Sequence, residues 1–190
     1  LRELLEVKLK QMMAQNKTRG KFLEDFKKVI DEYNNGSVDV EDAFEKLIEQ
    51  YQKLDEEQER YIAEGFENDK ELEIYDLLKK ENLTIDEEKK VKKAARNLLK
   101  TFSDKKRELF IYNWYQDRQK KEEVESTINE VLDKELPLSY DRVIFANKKQ
   151  EVFNHIYHLA EMGDSNYSRI NEITYLSDSL LVAQPEATYN

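Results

Sequence analysis

The stretch FLEDFKKVIDEY, residues 22–33, repeats apolar side chains at the i, i+3, i+4 spacing of one helix face. Such spacing is typical of an amphipathic α-helix that buries this face against other parts of the chain. The triplet NNG follows at 34–36 and is a strong stop signal, because Asn and Gly tolerate the left-handed backbone conformation found at helix ends. The stretch therefore predicts a helix that ends near residue 34.

Helical periodicity continues on both sides of this stretch. Residues 1–15 predict a first helix with apolar residues on one face. A third helix is predicted to start near Asp39, and it shows five apolar side chains: Phe44, Leu47, Ile48, Tyr51 and Leu54. At Asp55 the pattern Asp-x-x-Gln is compatible with a new helix start, and Thr84-x-x-Glu87 is a capping box before another helix.

Glycine and proline decide the fold class. The chain has only 4 Gly and 2 Pro among 190 residues, whereas a β-rich fold of this length needs many such residues at its turns. We therefore predict an all-α fold, an irregular bundle of about seven to nine helices. The predicted helical domain covers residues 1–163. Residues 164–190 are predicted to form a loosely ordered polar tail, whose apolar patch at Leu176, Leu180, Leu181 and Val182 either docks loosely or meets a missing partner.

Composition excludes several classes of protein. Apolar residues make up 39% of the chain, including 8 Phe and 11 Tyr, so a packed core is expected rather than intrinsic disorder. Cysteine is absent, which excludes disulfides and Cys-based zinc sites and fits a cytoplasmic protein. No apolar run approaches the roughly 18 residues of a membrane span, and the first residues given do not show a signal-peptide pattern. Because the first residue is Leu1, we expect a fragment of a larger protein.

Charge is divided unevenly between two neighbouring segments. Residues 55–88 contain 14 acidic and 4 basic side chains, whereas residues 89–121 contain 12 basic and 3 acidic ones. The two segments either pack together and neutralise each other, or the basic segment faces a phosphate backbone or an acidic partner. The candidate contacts for the second interpretation are Lys89, Lys90, Lys92, Lys93, Arg96, Lys105, Lys106, Arg107, Lys120 and Lys121.

Patterns that would indicate catalysis are incomplete. Arg19-Gly20-Lys21 lacks the Gly at position 15 and the Ser or Thr at position 22 that a phosphate-binding loop requires. Glu151, His155 and His158 lie one turn apart on one helix, but a zinc site needs a fourth ligand and an outer shell of supporting groups. The chain also lacks a Gly-x-Ser-x-Gly motif. We therefore predict no catalytic, metal or cofactor site, and no enzymatic activity for this chain by itself.

Several short motifs occur in an order that resembles a known family. They are TR at 18–19, EYNNGS at 32–37, EGF at 64–66, ELEIYDLL at 71–78, WYQDRQKK at 114–121, the run 124–137 and EVFNHIY at 151–157. Together these motifs resemble the C-terminal helical region of type I restriction enzyme R subunits. The resemblance covers roughly residues 5–160 and leaves the tail unmatched. Lys17 stands where the family pattern often has Pro.

The resemblance implies a role in assembly. Such R subunits carry a nuclease domain and two RecA-like motor domains upstream, and the parent enzyme uses ATP and Mg to translocate DNA in bacterial defence. The helical region is expected to dock this subunit onto the methyltransferase–specificity core. The expected partners are therefore the methyltransferase and specificity subunits, the chain's own upstream motor domains and possibly DNA, with no membrane.

Protein interfaces are commonly anchored by a few aromatic and Arg side chains. The candidate interface residues are Tyr112, Trp114, Tyr115 and Arg118, which lie beside the basic segment. The alternative for Trp114 is a position in the core. Two other functions stay open, a DNA-backbone-contacting module that uses residues 89–121, or a free-standing acidic helical adaptor.

Overall fold

The computed structural model describes residues 1–168 and is all-α in that range, as the sequence predicts. The eight α-helices of the described residues are α1 Arg2–Gln15, α2 Gly20–Asn34, α3 Val40–Ala63, α4 Asp69–Leu78, α5 Ile85–Asp104, α6 Lys106–Leu109, α7 Arg118–Glu135 and α8 Arg142–Glu161. Two short 3-10 turns lie at Lys17–Arg19 and Trp114–Gln116. The apolar patch predicted in the tail falls outside the described residues.

Local sequence signals explain most helix boundaries. Helix α2 ends at Asn34, as FLEDFKKVIDEY and NNG predict, and Gly36 then takes a φ of 70°. Asp39 caps α3, since its side chain accepts a hydrogen bond from the backbone N–H of Asp42. The new helix start predicted at Asp55 is wrong. Helix α3 passes through this position without a break, and the Asp55 carboxylate instead accepts a hydrogen bond from Lys8 of α1.

The predicted capping box at the start of α5 is confirmed. Thr84 donates its backbone N–H and its hydroxyl to Glu87 Oε2, both over 2.9 Å, and the Glu87 N–H returns a hydrogen bond to the Thr84 hydroxyl. Hydrogen bonds from Ser139 and from the Thr84 backbone and side chain lower the pKa of Glu87 to about 2. The ionised carboxylate is therefore the form that the fold stabilises.

Glu87→Gln is expected to remove a pH-dependent contribution to stability. Because the folded pKa of Glu87 lies below its ordinary value, this contribution is complete above about pH 5 and disappears as the pH falls towards 2. The urea midpoint of Glu87→Gln should therefore lie below that of the unsubstituted chain at pH 7, and the two should converge near pH 2–3. Glu81→Gln, at an exposed position, is the matched control. A gap between the midpoints that stays constant with pH would contradict the assignment.

The described chain packs as two compact units. The first consists of Leu1–Asn97 and Glu135–Ser139, and the second of residues 98–134 and 140–168. In the first unit α2 packs on α3, α1 packs on both, and α4 packs on α3 and on the 3-10 turn Lys17–Arg19. One hydrophobic cluster in this unit joins the first three helices through Leu5, Leu9, Met12, Phe26, Val29, Leu47 and Leu54. The second half of the unit buries Leu72, Ile74, Tyr75, Leu78, Val91, Ala94 and Ala95.

The second unit has an aromatic core. Its buried side chains include Leu98, Phe102, Leu109, Phe110, Trp114, Val124, Ile128, Leu132, Val152, Phe153, Ile156 and Tyr167. Tyr167 and Ser168 are buried, so the described part of the predicted tail belongs to this packed unit. Whether residues 1–163 act as one domain stays a prediction. Within residues 1–168, no helix combines the length and the apolar character that a membrane crossing requires.

Candidate interaction surfaces

Trp114 is the centre of the aromatic core of the second unit. Its side chain is fully buried, and its indole Nε1–H donates a hydrogen bond to the backbone carbonyl of Tyr167 over 2.6 Å. Four rings surround it at centroid distances of 5.6–6.5 Å, those of Phe110, Tyr115, Phe153 and Tyr157. Trp114 is therefore removed from the candidate interface, because a satisfied and enclosed indole presents nothing to a partner.

The other candidate interface residues reach the surface of the second unit. Tyr112 is 55% exposed, and the Arg118 side chain is 91% exposed and pairs with Glu122 over 3.0 Å. Tyr115 is half-buried and packs its ring against Tyr157 at 6.1 Å. The structure thus keeps three of the four predicted residues available to a partner.

A groove between α7 and α8 extends this surface. It has a volume of about 430 Å³ and is lined by Arg118, Lys121, Glu122, Glu125, Phe153, Asn154 and Tyr157. Burial and the negative charge of Glu161 raise the pKa of the Tyr157 phenol. Tyr157 was not among the candidate interface residues of the sequence. Aromatic rings flanked by charged side chains are typical of protein interfaces.

The helix-surface set Glu151, His155 and His158 does not converge on a common point. Glu151 accepts a hydrogen bond from Lys148 over 2.8 Å, and His158 Nδ1 lies 3.9 Å from a carboxylate oxygen of Glu161. Residues 1–168 contain no group of three or more His, Asp and Glu side chains arranged to hold a metal ion.

Half of the ten basic candidates pair with carboxylates of the chain itself. Lys92 is the clearest case, since its ammonium lies 2.6 Å from Glu64 and 3.0 Å from Glu88. Burial lowers the pKa of Lys92, but the hydrogen bonds to Glu64 and Glu88 outweigh it, so the net pKa is raised. The other pairs are Lys89–Asp86, Lys93–Glu135, Arg96–Glu71 and Lys120–Glu123. These contacts support neutralisation for part of the basic segment.

The remaining basic candidates have no ion-pair partner among residues 1–168. They are Lys90, Lys105, Lys106, Arg107 and Lys121. Three of them are consecutive at the start of the short helix α6, where Lys105 is the residue before the helix, and Lys105 and Arg107 are exposed. Lys100, also exposed, lies five residues before Lys105 near the end of α5. We define Lys100, Lys105, Lys106 and Arg107 as the α6 basic cluster.

Arg19 forms a buried ionic centre in the first unit. Its guanidinium donates to both carboxylate oxygens of Asp69, over 2.7 and 2.6 Å, and to Glu57 Oε1 over 3.0 Å. It also donates to the backbone carbonyls of Met12 and Glu57. Burial raises the pKa of the Asp69 carboxyl, and the hydrogen bonds from Arg19 partly oppose this rise. The arginine of the motif TR thus joins α1, α3 and α4.

Helix α3 presents an apolar surface beside its buried face. Leu47 and Leu54 are buried, but Phe44, Ile48 and Tyr51 are 55%, 38% and 36% exposed. The apolar spacing therefore predicts the helix, while part of its apolar face reaches the surface. The apolar arc of α3 is wider than the arc that α1 and α2 cover, and periodicity alone does not show which part of it is covered.

Comparison with protein families identifies the chain. The family described as type I restriction enzyme HindI endonuclease subunit-like, C-terminal, matches residues 1–162. The chain belongs to this family. No curated protein matches the chain, and no solved structure matches it.

The family match covers all eight helices of the described residues and ends at residue 162. It includes the first compact unit, the second unit up to residue 162, the α6 basic cluster, the groove between α7 and α8, and the exposed face of α3. The resemblance seen in the sequence is therefore confirmed at the level of the family. Each of the surfaces described above lies inside the matched C-terminal domain.

Proposed function

We propose that this chain docks the DNA-translocating endonuclease subunit of a type I restriction enzyme onto its methyltransferase–specificity core. The observation that carries the proposal is the family match over residues 1–162, which contains all eight described helices. In this proposal the chain itself is non-catalytic. The parent enzyme works in the cytoplasm in bacterial defence, and domains outside this chain use ATP and Mg to drive DNA translocation and cleavage.

Surface chemistry supports a docking role for the second unit. Tyr112 and Arg118 are exposed, and Arg118 lines the groove between α7 and α8. Tyr and Arg are the side chains that most often dominate binding free energy in protein interfaces, because each combines a large contact area with hydrogen-bonding capacity. Since Phe153 and Tyr157 form part of the groove wall, a partner side chain placed there would be shielded from water on one side.

Arg118→Ala is expected to weaken the complex with the purified methyltransferase–specificity core. An Arg that dominates an interface contributes about 1.4 kcal/mol or more, so Kd should rise at least about tenfold, measured by biolayer interferometry with the immobilised core. The matched control is Arg142→Ala, because Arg118 and Arg142 are both exposed and both begin a helix. Absence of binding by the unsubstituted chain at micromolar concentrations would argue against docking. An equal effect of Arg118→Ala and Arg142→Ala would show that Arg118 makes no specific contact with the core.

A second candidate function is contact with the DNA backbone. The α6 basic cluster favours it, since these four cations have no carboxylate partner among the described residues. Phosphate contacts release counterions, so binding through this cluster would weaken steeply with salt. A gel-shift titration with duplex DNA at two salt concentrations distinguishes the two functions. Loss of binding when Lys105, Lys106 and Arg107 are replaced by Gln, but not when the paired Lys89 and Lys93 are replaced, would favour DNA contact.

A further inference from the structure

The exposed face of α3 carries a continuous apolar stripe. Val40, Phe44, Ile48 and Tyr51 follow one another at i, i+4, i+8 and i+11, which places them on one side of the helix. Their exposed fractions are 62%, 55%, 38% and 36%. The stripe is about 17 Å long at the helical rise per residue. Exposed apolar side chains scattered singly are ordinary, but an ordered row of four on one helix indicates an interaction site.

One end of the stripe is closed by α1. The Lys8 ammonium lies 4.5 Å from the centroid of the Tyr51 ring and pairs with Asp55, one turn further along α3. This contact interrupts the apolar row after Tyr51. Ile62 is also exposed on the same helix, but it lies beyond Asp55 and is separated from the stripe.

The edge of the stripe that faces solvent is acidic. Glu41 and Glu45 follow Val40 and Phe44 directly, so each lies about 100° further round the helix. Glu56 and Glu59 continue this edge, at 11 and 14 residues from Glu45. All four glutamates are exposed and form no ion pair among residues 1–168.

The basic side chains of α3 do not neutralise this edge. Lys46 pairs with Glu32 over 2.6 Å, and Lys53 lies 4.0 Å from Glu49. Arg60, the third, pairs with Glu57 and Asp76 on the side of the helix where α4 packs. The hydrogen bonds that pair Lys46 with Glu32 lower the pKa of the Glu32 carboxyl. Each basic side chain of α3 is thus paired with a carboxylate, while the four glutamates beside the stripe form no ion pair within residues 1–168.

We propose that the α3 stripe binds a basic amphipathic helix of another subunit, and this inference rests on the docking function proposed above. The complementary helix would present about three turns of apolar residues and would carry Lys or Arg along the edge that meets Glu41 and Glu45. A second copy of this chain is a poor occupant, because two acidic edges would then face each other and repel. Charge complementarity therefore selects a basic helix, and the apolar row supplies the buried contact area.

Phe44→Glu and Val40→Glu test the stripe on the complete chain. Each substitution places a carboxylate in the apolar row, and the Kd for the purified methyltransferase–specificity core should rise about tenfold or more. The matched control is Ile62→Glu, an exposed apolar residue on the same helix outside the stripe, which should leave Kd unchanged. Circular dichroism checks that all variants fold, and Phe44→Ala provides a milder substitution if Phe44→Glu unfolds.

The acidic edge is tested with two synthetic helical peptides. Both carry Leu along one face, and one is flanked by Lys and the other by Glu. Fluorescence anisotropy should show tighter binding of the Lys-flanked peptide, with Glu41→Lys and Glu45→Lys together reversing the preference. The double substitution Glu24→Lys and Glu81→Lys, at exposed sites outside α3, is the control for net charge.

The possible outcomes separate this inference from the docking function. If the core binds the unsubstituted chain and the stripe variants equally well, the stripe is not the contact and the docking function stands. A different result would be that the core binds neither the unsubstituted chain nor the stripe variants, while the Lys-flanked peptide binds only when the stripe is intact. Docking onto that core would then be wrong, and the stripe would still be a site for a basic helix. Equal binding of both peptides would overturn the basic partner. A dimer in sedimentation that Phe44→Glu dissolves would assign the stripe to a second copy.

Discussion

Arg19→Met is expected to destabilise the first unit by about 3–5 kcal/mol. Removing one partner from a buried ion pair leaves the other charges in a poorly solvated site without compensation, and this costs more than the pair itself contributes. Arg19 is 3% exposed, and its guanidinium is bonded to Asp69 on two nitrogens and to Glu57 on a third. The substitution would therefore remove the two Arg19 hydrogen bonds of the Asp69 carboxylate and those of two backbone carbonyls, and would leave Glu57 with Arg60 as its ion-pair partner.

Two optical probes report this effect, and each reports a different part of the chain. Urea unfolding followed by far-UV circular dichroism reports all the helices, whereas fluorescence of the single Trp reports the second unit, where Trp114 is buried. We expect the circular dichroism transition of Arg19→Met to begin at lower urea. Because two units need not unfold together, the two transitions are fitted separately.

Arg19→Lys and a charge-removing triple variant are the controls. Lys keeps the positive charge but cannot donate in the planar fork that meets both oxygens of Asp69, so part of the stability should be lost. Arg19→Met combined with Glu57→Gln and Asp69→Asn removes the uncompensated charges and should cost less than Arg19→Met alone. A change below about 1 kcal/mol for Arg19→Met would show that the network is not needed to hold α1, α3 and α4 together.

The role of Arg19 could not be read from the sequence, although the motif TR was noticed there. Its ionic partners Glu57 and Asp69 lie 38 and 50 residues further along the chain. Periodicity predicts contacts within a helix, whereas a pairing at this distance depends on how the helices pack. By contrast, the capping box at Thr84 and Glu87 spans three residues, and the sequence predicted it correctly.

At α3 and at Trp114 the sequence does not determine which apolar side chains are buried, and the physical reason is the same in both places. The apolar spacing of α3 correctly predicted a helix, and Leu47 and Leu54 are buried, but Phe44 on the same face is exposed. Trp114 was predicted at an interface or in the core, and only its enclosure by four rings decides between the two. A large apolar side chain suits either environment, so its position is fixed by neighbours that the local pattern does not specify.

Trp114→Ala is expected to destabilise the second unit by about 3–5 kcal/mol, as is usual when a buried aromatic side chain is truncated in a packed core. The loss has two parts, which Trp114→Phe separates. Phe keeps most of the ring contacts with Phe110 and Phe153 but cannot donate to the carbonyl of Tyr167. An unpaired buried acceptor costs about 1–3 kcal/mol, so Trp114→Phe should fall between the unsubstituted chain and Trp114→Ala.

Both Trp114 variants lose the fluorescent probe, so thermal and urea unfolding are followed by circular dichroism. Tyr112→Ala is the control, because Tyr112 lies two residues away and is 55% exposed, and its stability should change by no more than about 0.5 kcal/mol. Binding by Trp114→Phe also separates an effect on stability from an effect on docking. If Trp114 acts only through the core, Trp114→Phe should bind the methyltransferase–specificity core with unchanged Kd at temperatures where it remains folded. A raised Kd in that folded range would restore the indole to the binding surface, against its complete burial.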